Sequence, residues 1–385
     1  MQTKKLGEIC KLVKGKKPSN FVSKSSKPYL TAKVIRGTKV PEFVSEDCLS
    51  SVWVEKDDIV IIMDGSNSGE MFTNLDGALA STMGIVKYQQ NLLSPKYLLH
   101  FLIIHRENFT KSRTGSAIPH LNKEQFENLE IPLPPLPTQH RIVKILDEVF
   151  SDIVQAKEHA EKNLQNAKDL FESYLQGVFA NPGEDWEEKR LGDICNFVRG
   201  PFGGSLKKNI FKKEGYVVYE QQHAIHNQFT KVRYFIDEKK FSEMKRFELK
   251  SSDLIMSCSG TMGKIAIAPD DIKKGIINQA LLKLTPSEDL FNVFLKSWME
   301  SGVFQDDLKK YTKGAAIKNV VSVKILKDIR MFVPKIQEQK SIVHKLDALS
   351  AETKKLEAIY QQKLANLEEL KKSVLKKAFA GELVE

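Results

Sequence analysis

The stretch "IPLPPLPTQHRIVKILDEVF" runs from Ile131 to Phe150, and "MFVPKIQEQKSIVHKLDALS" runs from Met331 to Ser350, 200 residues later. Each begins as an extended segment broken by proline, which removes a backbone donor and fixes φ. Each then carries a glutamine (Gln139, Gln339) and an Ile-Val-x-x-Leu-Asp run at helical spacing. A strand end followed by a helix start, written twice, predicts a duplicated architecture.

Working outward, the duplication extends over the chain. "KKLGEICKLVKG" (Lys4–Gly15) recurs as "KRLGDICNFVRG" from Lys189, so Leu6, Gly7, Ile9, Cys10, Val13 and Gly15 return as Leu191, Gly192, Ile194, Cys195, Val198 and Gly200. "DDIVIIMDGSNSG" is echoed by "SSDLIMSCSGTMG", "RTGSAIPHL" by "TKGAAIKNV", and "YLQGVFA" by "VLKKAFA", which close the copies at Ala180 and Ala380. The offset grows from 185 to 200 through the first part of each copy and then stays at 200. Each copy thus reads as a module that accepts insertions, joined to an element of fixed length.

That element is a long helix. From Thr138 to Ala180 the apolar or small residues Ile142, Leu146, Val149, Ile153, Ala156, Ala160, Ala167, Leu170 and Tyr174 fall at steps of four and three, with Asn163 filling the one gap, a heptad seam. From Gln337 to Ala380 the seam is Ile342, Leu346, Leu349, Leu356, Tyr360, Leu367, Leu370 and Val374, weakened at Thr353 and Lys363. About 43 residues at 1.5 Å each make a helix roughly 65 Å long. One apolar stripe on so long a helix needs a partner, and the two helices are expected to pack as a coiled coil. The globular parts read as short β-rich runs ("DDIVIIMDG", "GIVKY", "GYVVYE", "DLIMSCSG", "KIAIA") with a helix at Ser94–Phe109, capped by Ser94 with Pro95 at its first position, and a counterpart at Ser287–Phe304. The domains expected are 1–137 and 181–336, with helices 138–180 and 337–385, and "NPGEDW" (Asn181–Trp186) as the hinge.

The net charge is +10. Met1–Pro41 holds eleven Lys/Arg and one acid, and Lys189–Lys250 holds fourteen against seven acids, which suggests two contacts with a polyanion. No apolar run reaches the about 18 residues of a membrane span, and "MQTKKLGEIC" offers no signal-peptide core. Cys10, Cys48, Cys195 and Cys258 are scattered and read as reduced thiols of a cytoplasmic protein. No catalytic constellation, metal site or cofactor loop is expected. "SGTMGK" (Ser259–Lys264) is two residues short for a phosphate loop and reads as a tight turn. His223 and His226 lack further ligands; Gln221, Gln222 and His223 read instead as hydrogen-bonding edges.

The "LGEIC…VKG" and "LGDIC…VRG" openings, the "GSAIPHL" and "GAAIKNV" segments, the two helix starts and the terminal "AFAGEL" together resemble the specificity subunits of type I restriction–modification systems. That resemblance implies an α+β chain with two tandem target recognition domains, joined by two long helices in an antiparallel coiled coil with pseudo-two-fold symmetry. It implies a subunit without catalysis of its own. Each domain would read half of a split, asymmetric site in double-stranded DNA. The subunit would recruit two modification (methyltransferase) subunits and, with them, restriction subunits. One departure is that the first helix ends "LQGVFANPG" where the second ends "LKKAFAGEL". The alternatives are a two-headed DNA-binding protein or a scaffold without a methyltransferase partner.

Phosphate contacts are expected from Lys14, Lys16 and Lys17 in the first copy and Arg199, Lys207 and Lys208 in the second, each group on a glycine-containing loop after a strand. Lys111, Arg113, Lys310 and Lys313 are further candidates. Base reading calls for Arg or Lys on guanine and Asn or Gln on adenine, here Arg36, Asn67, Gln221 and Gln222.

Overall fold

The computed structural model describes residues 2–22, 26–110, 120–259, 261–312 and 322–383. The chain forms two compact units, one of 1–161 with 362–385 and one of 162–361.

In the first unit the strands are β1 (Thr3–Lys5), β2 (Cys10–Lys14), β3 (Lys27–Leu30), β4 (Phe43–Val44), β5 (Trp53–Val54), β6 (Ile59–Ile62), β7 (Met71–Phe72), β8 (Gly77–Leu79), β9 (Met83–Tyr88) and β10 (Glu130–Pro132). Its helices are α1 (Leu6–Ile9), α2 (Ala32–Ile35), α3 (Pro95–His105), α4 (Lys123–Glu127) and the first part of α5 (Leu136–Ala180). One sheet is antiparallel in the order β2-β9-β6-β7, and a second has the order β4-β3-β8-β5 with β3 and β8 parallel. β1 pairs with β10, Thr3 opposite Pro132, which ties the start of the chain to the root of the long helix.

The second unit repeats this order with α6 (Leu191–Ile194), α7 (Gln221–His226), α8 (Glu238–Glu243), α9 (Asn292–Glu300), α10 (Gly302–Thr312), α11 (Val323–Asp328) and the first part of α12 (Ile336–Ala380). Its strands are β11 (Glu187–Arg190), β12 (Cys195–Arg199), β13 (Tyr216–Tyr219), β14 (Phe235–Ile236), β15 (Leu254–Ser257), β16 (Ile265–Ile267), β17 (Gly275–Ile277), β18 (Leu281–Pro286) and β19 (Arg330–Val333). The sheet β12-β18-β15-β16 and the pair β11-β19 match those of the first unit, while β14-β13-β17 lacks the strand that β5 adds to its counterpart. The sequence repeat is therefore a repeat of topology.

The continuous apolar run Ile59-Val60-Ile61-Ile62 makes a central strand covered on both faces, as such runs do. Ile59 and Ile61 join the core beneath α3 and α5, while Val60 and Ile62 join a second core against the smaller sheet. β15 divides its side chains in the same way: Leu254 and Met256 enter one core, Ile255 the other. Gly15 and Gly200 follow the first strand of each sheet. A Cβ at Gly15 would lie 2.3 Å from the Ala80 carbonyl oxygen, and one at Gly200 1.8 Å from that of Asn278. These glycines thus serve close backbone packing, and Gly15 is buried, not open to a ligand.

α5 and α12 have 45 residues each. In the first unit Ile142, Val143 and Leu146 of α5 share a core with Leu375 and Ala378 of α12. Lys371 lies 5.2 Å from the Phe150 ring and Lys157 bonds Glu368 at 2.9 Å. Rising numbers on one helix meet falling numbers on the other, so the pair is antiparallel. In the second unit Leu175 and Phe179 of α5 share a core with Val343 and Leu346 of α12. Each unit is thus built on the start of one long helix and the end of the other.

The seam departs from its expected course. Leu170, Leu356 and Leu370 are exposed, as is Tyr174. Of the expected seam Ala160, Ala167 and Leu346 are buried, and burial takes in besides Leu175 and Phe179 on α5 and Val343, Thr353, Leu375 and Ala378 on α12. Val149, Ile342, Leu349 and Leu367 are half-buried, while Ile153 is buried. The reason is that the helix ends pack on whole domains: Phe179 meets Phe294 of α9 at 5.3 Å, and Phe379 meets Tyr97 and Phe101 of α3 at 5.0 and 5.3 Å. A broad apolar face is needed there, not a two-position stripe. Thr353, expected as a weak point, is buried all the same, and its hydroxyl is satisfied by donating to the Leu349 carbonyl at 3.0 Å.

Two helix boundaries also differ. The first domain helix ends as α-helix at His105 and continues as a 3-10 turn to Phe109. Its counterpart starts at Asn292, not Ser287, and breaks at Ser301 before α10. The Gln339 side chain takes the Phe291 N–H and fixes that later start.

Candidate nucleic-acid interface

In the first unit Lys14, Arg36 and Asn67 gather at the turn between β6 and β7. Gly65 and Gly69 adopt positive φ of 111° and 81° there, a region open to glycine at little cost. Lys14, at the end of β2, bonds Asp64 Oδ2 at 2.8 Å, and His120 Nδ1 lies 2.7 Å from Asp64 Oδ1. Burial pushes the Asp64 carboxyl up, but Lys14 and His120 outweigh it and hold the group below its usual range. Arg36, the C-cap of α2, forks onto Glu70 through Nε (3.3 Å) and Nη2. Asn67 is exposed at the tip, and Lys16 and Lys17 are exposed beyond Gly15. The segment holding Lys111 and Arg113 lies outside the described residues. Its described neighbours reach the same turn: Thr110 packs at Gly69, and His120 bridges to Asp64.

In the second unit the corresponding turn follows β15. Gly263 has φ 74°, its N–H bonds Ser257 O at 2.9 Å, and Ser257 Oγ donates to Thr261 O at 2.6 Å. "SGTMGK" is a tight turn among its described residues. Ser259 Oγ donates to Gln221 Oε1 at 3.0 Å, which ties the start of α7 to this turn. Gln222 Nε2 donates to Glu220 Oε2 at 3.2 Å. Arg199 closes β12 and is half-buried beside the Cys258 thiol, which burial pushes up to about 12 against the lowering effect of Arg199. Lys207 and Lys208 are exposed. Lys310, on α10, pairs with Asp307 at 2.7 Å, and Lys313 lies outside the described residues.

His223 does not offer a recognition edge. It is fully buried; its Nδ1 accepts from the Glu220 N–H at 2.9 Å and its Nε2 donates to Lys231 O at 3.1 Å. Both ring nitrogens are spent, one on the α7 cap and one on the Lys231 carbonyl, as buried polar groups must be. Sequence reasoning missed Glu220, Arg233, Asp64 and Glu70, because no helical or strand period links them to their partners. It also missed Phe202, which is 90% exposed on the loop before Lys207.

No disulfide forms among the cysteines; Cys10 and Cys195 are buried, and burial pushes both thiols up to about 12. Hydroxyls of Ser50 and Ser51 lower Cys48 to about 7. Among the described residues no cluster of His, Cys, Asp or Glu could hold a metal ion, and no helix is long and apolar enough to cross a membrane.

A duplicated α+β domain with a long helix in each copy defines the class. The chain belongs to the type I restriction modification DNA specificity domain family, whose model matches residues 1–164 and again 183–368. It is 27% identical to the type I restriction enzyme MjaVIII specificity subunit of Methanocaldococcus jannaschii, over 98% of this chain and 92% of the relative. It is 24% identical to the EcoBI specificity subunit of Escherichia coli, over 86% of this chain and 74% of that one. Among solved structures, the HsdS subunit of Thermoanaerobacter tengcongensis superposes with a TM-score of 0.65 at 18% identity, covering 99% of this chain and 97% of the other. A chain from work on complex assembly and conformational transition of the type I R-M system gives 0.75 at 20% identity, covering 99% and 98%. The relatives are specificity subunits of type I restriction enzymes.

Proposed function

We propose that this chain reads a bipartite, asymmetric sequence in double-stranded DNA and directs two modification subunits, and with them restriction subunits, to it in the cytoplasm. The observation that carries the reading is the double match to a DNA specificity domain, over residues 1–164 and again 183–368. In the first domain (1–137) Lys14, Lys16, Lys17, Lys111 and Arg113 contact phosphates, and Arg36 and Asn67 face bases. In the second (181–336) Arg199, Lys207, Lys208, Lys310 and Lys313 contact phosphates, and Gln221 and Gln222 face bases. Lysines give sequence-independent attraction, while base edges give choice. Helices 138–180 and 337–385 set the gap between the two halves.

The test is methylation mapping of a genome that carries this chain together with its modification partner. A split recognition sequence with a fixed gap is the expected result. Binding of the assembled complex to its duplex should weaken steeply with salt, since several phosphates are neutralised. A flat salt response, or a continuous site without a gap, overturns the reading.

A further inference from the structure

We propose that Arg233 is a base-reading residue of the second domain, taking a guanine, and that Glu220 is its positioning residue. The inference rests on the DNA-recognition reading above and adds to it a residue that no sequence pattern singles out.

Arg233 stands just before β14, with a side chain 60% exposed. Its Nη2 donates to Glu220 Oε1 at 2.8 Å and its Nε to Oε2 at 3.1 Å. Glu220 is not a loose surface acid: its side chain is only 13% exposed. Gln222 Nε2 donates to Oε2, and the His223 N–H bonds the Glu220 backbone carbonyl at 2.9 Å, which holds the residue as the N-cap of α7. Held from these directions, the carboxylate cannot swing out, and the guanidinium is fixed in its plane. Beside it, Tyr234 lies 5.4 Å from Arg233 Cζ and stacks on Phe211 at 4.6 Å. The Val218 N–H bonds Tyr234 O at 2.9 Å, anchoring the backbone to the sheet.

A guanidinium has five N–H groups in a rigid fork. Glu220 uses the Nε and one Nη2 hydrogen. The opposite edge, Nη1 with the second Nη2 hydrogen, remains a parallel pair of donors, and Nη1 makes no hydrogen bond among the described residues. That edge matches the O6 and N7 acceptors of guanine. A lysine, a single point charge, would offer no such pair. The first unit uses the same device at a different place in the topology: Arg36 follows α2 and its Glu70 stands before β7. Two forks at non-equivalent positions would present their donors differently, as an asymmetric target requires.

The experiment uses the complex with its modification subunits and competition binding against every single-base substitution of the mapped site. In the wild type, replacing one G·C pair on the second-domain side should cost roughly 5- to 150-fold. Arg233→Ala and Arg233→Lys should erase the preference at that pair alone, with thermal melting unchanged. Glu220→Gln, which keeps the shape but not the charge, should relax the same pair and no other. Uniform weakening by Arg233→Ala, with base preference intact, overturns the inference in favour of a phosphate contact. So does an unchanged profile. An effect of Arg233→Ala without any effect of Glu220→Gln overturns the positioning role. A wild-type complex without base preference overturns the functional reading itself.

Discussion

Gln139 and Gln339 answer at the residue scale why the two helix starts share a glutamine. Gln139 is fully buried; its Oε1 accepts from the Ser94 N–H at 3.0 Å, and its Nε2 donates to Leu92 O at 2.7 Å and Pro134 O at 2.9 Å. Gln339 does the same with Phe291 N–H, Asp289 O and Pro334 O at 2.7, 2.8 and 2.8 Å. Each amide staples a long helix to the loop that starts a domain helix. Gln139→Leu strands a buried N–H and two carbonyls and should destabilise by about 1–3 kcal/mol for each group left unpaired. Gln139→Glu should be at least as damaging, because an acceptor then faces two carbonyls. Thermal denaturation checks both. His100 sets a pH dependence at the same scale. It is buried 3.5 Å from Asp147, with Lys96 and Lys371 nearby. Burial lowers it from the usual 6.5 and outweighs the opposing pull of Asp147. The unfolded chain then takes the proton more readily than the folded one. Stability is undiminished above pH 6.5 and falls as the pH drops from there to the folded value, by at most about 1.4 kcal/mol per pH unit. Melting temperature against pH should show this slope, and His100→Gln should flatten it.

At the element scale the long helices combine two jobs. Their ends complete domain cores, through Phe179 on α9 and Phe379 on α3. Their middles expose Leu170, Leu356 and Leu370. Leu146→Ala should therefore cost about 2–5 kcal/mol, whereas Leu170→Ala should stay within about 0.5 kcal/mol. Equal losses in urea denaturation would return Leu170 to the seam. The fixed 200-residue offset between the helices makes length itself a prediction. Removing one heptad from each helix keeps the apolar face in phase to within about 20°. It shortens each by about 10.5 Å at 1.5 Å per residue, or about three base pairs at 3.4 Å. Methylation mapping should show a gap shorter by that amount; an unchanged gap dissociates helix length from spacing.

For the whole molecule, separate domain cores predict that recognition is modular. Exchange of residues 1–137 for another such domain should change one half of the mapped site and leave the other half and the gap intact. The exchanged domain has to keep partners for Gln139 and a socket for Phe379, or the product will not fold. Much of this organisation was legible beforehand. The paired openings around Cys10 and Cys195 lie on equivalent strands, and Ser94 caps α3 as its sequence suggests. The proposed DNA-facing surface was legible only in part. Lys14 and Arg36 could be picked as cations, but not their acids: Asp64 is 50 residues and Glu70 34 residues away.

By itself the sequence determined the duplication, the period of each element and the equal length of the two helices, because repeats and apolar spacing are local properties of the chain. Only the tertiary structure decided which domain receives each helix end, which seam leucines remain in water, and which arginine is held by which carboxylate. Those depend on surfaces and charges brought together from distant positions, and no local pattern encodes them.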